Sequence, residues 1–137
     1  MKPAEYRRMF EAEEAQWWYA GQRAIAAALL EPALAGRQGE KPRLLDAGCG
    51  TGMNLLVLAA LGRAVGIDLA PQALAFCRER GVRALRASLL ALPFPDAAFD
   101  AVTSLDVLYH SWVTDDRAAV AEMARVVRPG GVLLVRV

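Results

Sequence analysis

The sequence predicts an α/β fold: a doubly wound parallel sheet with helices on both faces. Two observations and one rule of chain handedness carry this. From residue 43 onward, short apolar runs alternate with helix-like segments, the pattern of a parallel sheet covered on both sides. Right-handed crossovers between parallel strands then wind the sheet in both directions. Glycines at alternate positions, Gly48, Gly50 and Gly52, follow the first run. They fall at the carboxyl end of a strand, where such sheets hold ligands.

Taken in order, residues 4–31 read as helical, with Phe10, Trp17, Trp18, Ile25, Ala28 and Leu29 on a broad apolar face. Within it, Trp17, Trp18 and Tyr19 suit either core packing or a lid over a site. Residues 31–42 are a connector marked by two prolines and two glycines. "RLLDA" (43–47) is a buried strand, and "MNLLVLAALG" (53–62) is a helix stopped by Gly62. "AVGID" (64–68) is the second strand. Residues 70–81 form a helix, with Pro71 in its first turn and Gly81 at its end. "VRALRAS" (82–88) is the third strand, and "FDAVTSLDV" (99–107) contains the fourth. Residues 115–131 are a helix with acids at its start, basic groups near its end and a Pro-Gly-Gly stop. "VLLVRV" (132–137) is the fifth strand. The organisation is one domain, with an N-terminal helical segment and connector (1–42) before a Rossmann-like core (43–137).

Composition removes several function classes. At 137 residues and 55% hydrophobic, the chain can bury one real core. A net charge of +1 gives no electrostatic footprint for nucleic acid or a membrane surface. Two cysteines, Cys49 and Cys77, make neither a disulfide framework nor a metal cluster. The amino-terminal stretch is too charged for a signal peptide, and no run approaches the ~18 apolar residues of a membrane span. The expected setting is the cytoplasm, with no metal.

The glycine turn reads Asp46-Ala47-Gly48-Cys49-Gly50-Thr51-Gly52. Its glycines permit a sharp turn and clear side chains from a ligand's path. Asp68 closes the second strand, sixteen residues after Gly52, and a carboxylate there can accept from both hydroxyls of an adenosine ribose. A dinucleotide fingerprint needs glycine where this chain has Met53. Asp46 is more telling. It would repel a pyrophosphate but attract an amino acid's ammonium. A ligand with adenosine at one end and an amino acid at the other is S-adenosylmethionine.

With these residues in view, the chain resembles a class I S-adenosylmethionine-dependent methyltransferase of the small-molecule type. "LLDAGCGTG" (44–52) is similar to the family's first motif and "VGIDLA" (65–70) to its acidic second motif. "LPFPDAAFDAVTSLDVLYH" (92–110) and "RVVRPGGVLLVRV" (125–137) resemble the later loop, strands and helix. The resemblance implies that Asp46, Gly48, Cys49 and Gly50 surround the methionine end of the cofactor. It implies that Asp68 binds the ribose and Leu69 packs on the adenine. Ser88 and Leu89 stand where the family flanks the adenine, although Ser88 replaces a common acidic residue. Leu105 and Asp106 would face the methionine portion. Residues 14–30 resemble a leading helix whose aromatics and arginine close over the cofactor.

No acid–base pair stands out. His110 and Tyr109 are weak candidates for a general base, His110 sharing a face with Asp106 if that segment is helical. Cys49 reads as a small turn residue, with no partner to activate a nucleophile. The resemblance also implies a further helix and two further strands after the fifth, so "VLLVRV" is expected to leave an apolar edge. A second copy, or a partner chain, is expected to cover it. The leading function is methyl transfer to a small molecule. The alternative is a non-catalytic cofactor-binding module, a truncated form, or one subunit of a larger methyltransferase assembly.

Overall fold

The structure, a computed structural model, describes residues 2–35 and 39–137. Five parallel strands run in the order β3-β2-β1-β4-β5: β1 Arg43–Ala47, β2 Arg63–Asp68, β3 Ala84–Arg86, β4 Phe99–Leu105 and β5 Val127–Arg136. The order reverses at β1, which pairs with β2 on one side and β4 on the other. That reversal opens a crevice at the strands' carboxyl ends.

Alternation along the strands divides the core. Leu45 and Val102 join Ile67, Met123 and Val126 in one apolar cluster. Their neighbours Leu44 and Ala101 join Leu30, Leu55 and Leu58 in another. Successive side chains point to opposite faces of a strand, so both faces are covered. Helix α3 (Met53–Leu61) belongs to the second face and α5 (Asp116–Val126) to the first. Asp115 caps α5, its carboxylate accepting from the Ala118 amide at 2.9 Å.

Several boundaries differ from the sequence expectation. The continuous helix over 4–31 is two helices, α1 (Pro3–Ala15) and α2 (Trp17–Leu34), separated at Gln16 where the backbone is extended (ψ 131°). Each packs on a different support. Tyr6 and Met9 of α1 meet Ala73 and Phe76 of α4 (Pro71–Glu79), while Leu30 of α2 joins the α3 cluster. The break lets both be buried. Arg23 Nη1 donates to the Glu13 carbonyl at 2.8 Å, satisfying an acceptor in the last turn of α1. The expected connector starts later, because α2 runs through Pro32 before ending at Leu34; residues 36–38 lie outside the described residues.

The expected apolar face over Trp17, Trp18, Ile25, Ala28 and Leu29 points outward: Trp17 is 80% exposed and Ile25 62%. Trp17 and Trp18 are therefore not core. They stack edge to face on the surface with centroids 6.0 Å apart.

Strand β3 is shorter than 82–88, since Ser88 turns into an antiparallel bridge with Ala91 and its hydroxyl accepts from the Leu90 amide. Helix α5 ends at Val126, five residues before the Pro-Gly-Gly stop is complete, and Val127 already pairs with Phe99. The glycines instead lie in an irregularity of β5, between the Phe99 and Ala101 pairings. Arg125 and Arg128 do more than complement a helix dipole. Arg128 Nε donates to the buried Asp100 at 2.6 Å, and Arg125 ties Glu122 to the carbonyls of Leu92 and Phe94.

Candidate functional site

The glycine turn connects β1 to α3 at the reversal of strand order. The amides of Gly48 and Cys49 both donate to the Ile67 carbonyl at 2.9 Å, pulling the turn against the end of β2. Gly48 has φ +84°, and a Cβ there would stand 2.6 Å from both Val107 methyls, so no other residue fits. Gly50 has φ +53°, and its missing Cβ would face Met9. That leaves backbone exposed beneath α1.

A cleft of about 420 Å³ opens over this turn, within the size range of small-ligand sites. Of the residues expected around the cofactor, Gly48, Cys49, Gly50, Asp68, Leu69 and Asp106 line it. Asp46 is 1% exposed, one strand position short of the turn, and Leu105 is buried next to Asp106. Ser88 and Leu89 are not on the wall of this cleft.

The two acids are held differently. Asp68 accepts from the Gly50 amide on Oδ2 and from the Ala70 amide on Oδ1, both at 2.9 Å. Each oxygen keeps a lone pair for another donor. Asp46 accepts from the Thr103 hydroxyl at 2.7 Å through Oδ1, while its Oδ2 is buried and without a hydrogen-bond partner among the described residues. Burial pushes the Asp46 carboxyl up to about 7; Thr103 opposes that rise, and the nearby charge of Asp68 adds to it. A buried acceptor left open beside a glycine cradle is what a cationic ligand group can complete.

A second cleft of about 240 Å³ adjoins the first, and Met9, Glu13, Asp106 and His110 belong to both. Its own wall includes Tyr19, Arg23, Asn54, Tyr109 and Arg136. Asp106 adopts φ +59° and is gripped by Arg136, whose Nε lies 3.1 Å from both carboxylate oxygens. Residues 106–113 are turns rather than the helix that would have put His110 and Asp106 on one face, yet both reach the same clefts. His110 stacks on Trp112 with centroids 5.7 Å apart, and Tyr109 lies 4.8 Å from His110. Cys49 Sγ sits 3.8 Å from Cys77 Sγ, and this contact, with burial, pushes its thiol far above the ordinary range. It is no nucleophile.

Sequence reasoning did not single out Tyr6, Met9 and Glu13, which roof the first cleft from α1. Their i, i+3, i+7 spacing puts them on one helix face, a signal that was present but not specific. Gln72 and Trp112 were missed as well.

The residues fit S-adenosylmethionine: an open buried carboxylate for an ammonium, a side-chain-free turn, and a second carboxylate with free lone pairs for a diol. Comparison with known proteins agrees. Residues 45–135 match the family model described as a methyltransferase domain. A human protein named probable tRNA methyltransferase 9B is 41% identical over 103 residues, covering 73% of this chain and 22% of its own. A demethylmenaquinone methyltransferase of Thermus thermophilus is 43% identical over 102 residues, covering 68% and 46%. The chain thus spans less than half the length of either relative. The structure of S-adenosylmethionine-bound CalS10, an amino pentose methyltransferase from Micromonospora echinaspora, superposes with a TM-score of 0.73 at 33% identity over 98% of this chain and 56% of that one. This chain belongs to the methyltransferase domain family, of the class I, S-adenosylmethionine-dependent type.

Proposed function

We propose that the chain holds S-adenosylmethionine in the first cleft and directs its methyl group to a small-molecule acceptor in the second. The observation that carries this reading is the confluence of the two clefts at Asp106 and His110. Asp68 lines the cofactor side of that junction, and Asp46 is buried in the strand that leads into the glycine turn. When bound, the cofactor supplies an electrophilic methyl carbon on a sulfonium.

The chain's own residues then align and shield. Asp68 holds the ribose hydroxyls while its amide contacts keep the glycine turn in shape. Asp46 receives the ammonium, and Arg23 of α2, on the wall of the second cleft, stands on the acceptor side. Leu69, on the wall of the cleft, supports the adenine. Alignment and exclusion of water supply most of the rate for such a displacement. A base is needed only where the acceptor must lose its proton early, and His110 or Tyr109 would then serve.

A cleft of about 240 Å³ suits a small acceptor, and a net charge of +1 argues against a polyanionic one. The test is a panel of small amines, hydroxy compounds and sugars incubated with the chain and the cofactor, read by mass spectrometry. A methylated product is expected. Cofactor binding with no product across the panel would favour the non-catalytic module or assembly subunit. We also propose that the open edge of β5 is covered by a second copy of this chain or by a partner chain.

A further inference from the structure

Arg80 closes α4 and lines neither cleft, and its side chain is 3% exposed. Its Nη1 donates to the Thr51 carbonyl at 2.9 Å, to the Thr51 hydroxyl at 2.7 Å and to Glu13 Oε2 at 3.0 Å. Its Nη2 donates to the Phe10 carbonyl at 3.1 Å. The guanidinium carbon also lies over the Phe10 ring, 4.0 Å from its centroid. The Thr51 hydroxyl in turn donates to Glu13. One side chain thereby joins α4, the middle of the glycine turn and the last turns of α1.

Stability alone is a poor reason for this arrangement. A buried ion pair gains little over apolar packing of the same volume, and Arg80 Nε is left without a partner among the described residues. What the guanidinium does supply is geometry, because its fixed fork sets several acceptors at once. Those acceptors are the residue between Gly50 and Gly52 and the carboxylate that faces both clefts.

We propose that Arg80 is a positioning residue that locks α1 onto the glycine turn, so that the cradle and its roof form together and ligand binding and α1 docking reinforce each other. The proposal rests on the reading that the cofactor occupies the first cleft. Coupling of this kind is reciprocal: a ligand that holds α1 down must lose affinity by the same factor when α1 is released.

The test measures S-adenosylhomocysteine affinity by calorimetry, and hydrogen exchange of α1 with and without that ligand, on the full chain. In the wild type the ligand slows exchange across α1. Arg80→Met is expected to weaken binding roughly 5- to 150-fold and to leave α1 exchange indifferent to ligand. Arg80→Lys recovers part of the affinity, since one ammonium replaces the contacts of one nitrogen only. Glu13→Gln keeps the volume and removes the charge, and it moves both readouts in the same direction should Arg80→Met fail to fold.

Binding within about twofold of wild type in both Arg80→Met and Glu13→Gln overturns the proposal. So does α1 exchange that ignores ligand in the wild type, or weakened binding with equally faster exchange in β1 and β4. Asp68→Ala separates the two claims. If it abolishes binding while the Arg80 and Glu13 variants bind normally, only the positioning role falls. If it leaves binding intact, the assignment of the cleft falls.

Discussion

At the scale of single residues, a ligand ammonium seated on Asp46, as proposed, makes binding depend on pH. The Asp46 carboxyl titrates at about 7 in the fold, against about 3.9 unfolded, so folding favours the protonated form. Its contribution to stability is therefore fully present below about pH 4 and is lost as pH rises to about 7. A ligand ammonium favours the ionised form. S-adenosylhomocysteine affinity should rise from about pH 6 to about pH 7.5, a range in which the ligand's own amine stays protonated beside its carboxylate. Calorimetry in buffers of different ionisation enthalpy should detect proton release on binding. Asp46→Asn should bind ~10- to 100-fold more weakly, at about 1.5–3 kcal/mol for a charged hydrogen bond, and lose this pH dependence. Gly48→Ala, forced into φ +84° and against Val107, should lose roughly 1–3 kcal/mol of stability in a denaturant titration. The two acids and the glycines were legible in the sequence because their chemistry is local to strand ends. The contact of Glu13 with Arg80, separated by 67 positions, was not, since only the docking of α1 on α4 brings them together.

At the scale of elements, hydrophobicity misled where helical periodicity did not resolve which face is covered. The run from Trp17 to Leu34 is apolar almost throughout, so its pattern cannot choose a buried side. The fold buries Ala26 and Leu30 and exposes Trp17, Trp18, Ile25 and Leu29. Trp17→Ser should accordingly change stability by no more than about 0.5 kcal/mol, while Leu30→Ala should cost about 2–5 kcal/mol, both measured by chemical denaturation. Strands β1, β2 and β4 were read well because they are short, buried towards their ends or throughout, and bounded by turn residues. The start of β5 was not, because Pro129, Gly130 and Gly131 signal a stop that the sheet absorbs as an irregularity after pairing has begun.

At the scale of the whole molecule, alternation of strands and helices was enough to place the glycine turn at the carboxyl end of a parallel strand, and the strand order puts that end at the reversal of the sheet. The second cleft was not legible, because it is walled by α1, α2, α3 and the segment after β4, which no sequence interval contains. Among the described residues, β5 pairs only with β4, and no helix is long and apolar enough to cross a membrane. If a second copy covers that edge, sedimentation at micromolar concentration should show a dimer, and a monodisperse monomer there would contradict the homodimer. Titrating the chain with S-adenosylhomocysteine beside Asp68→Ala decides whether the first cleft is an S-adenosylmethionine site organised by Asp68. Saturable binding by the wild type, lost in a folded Asp68→Ala variant, is expected. Equal binding by both, or none by the folded wild type, would contradict that reading of the cleft.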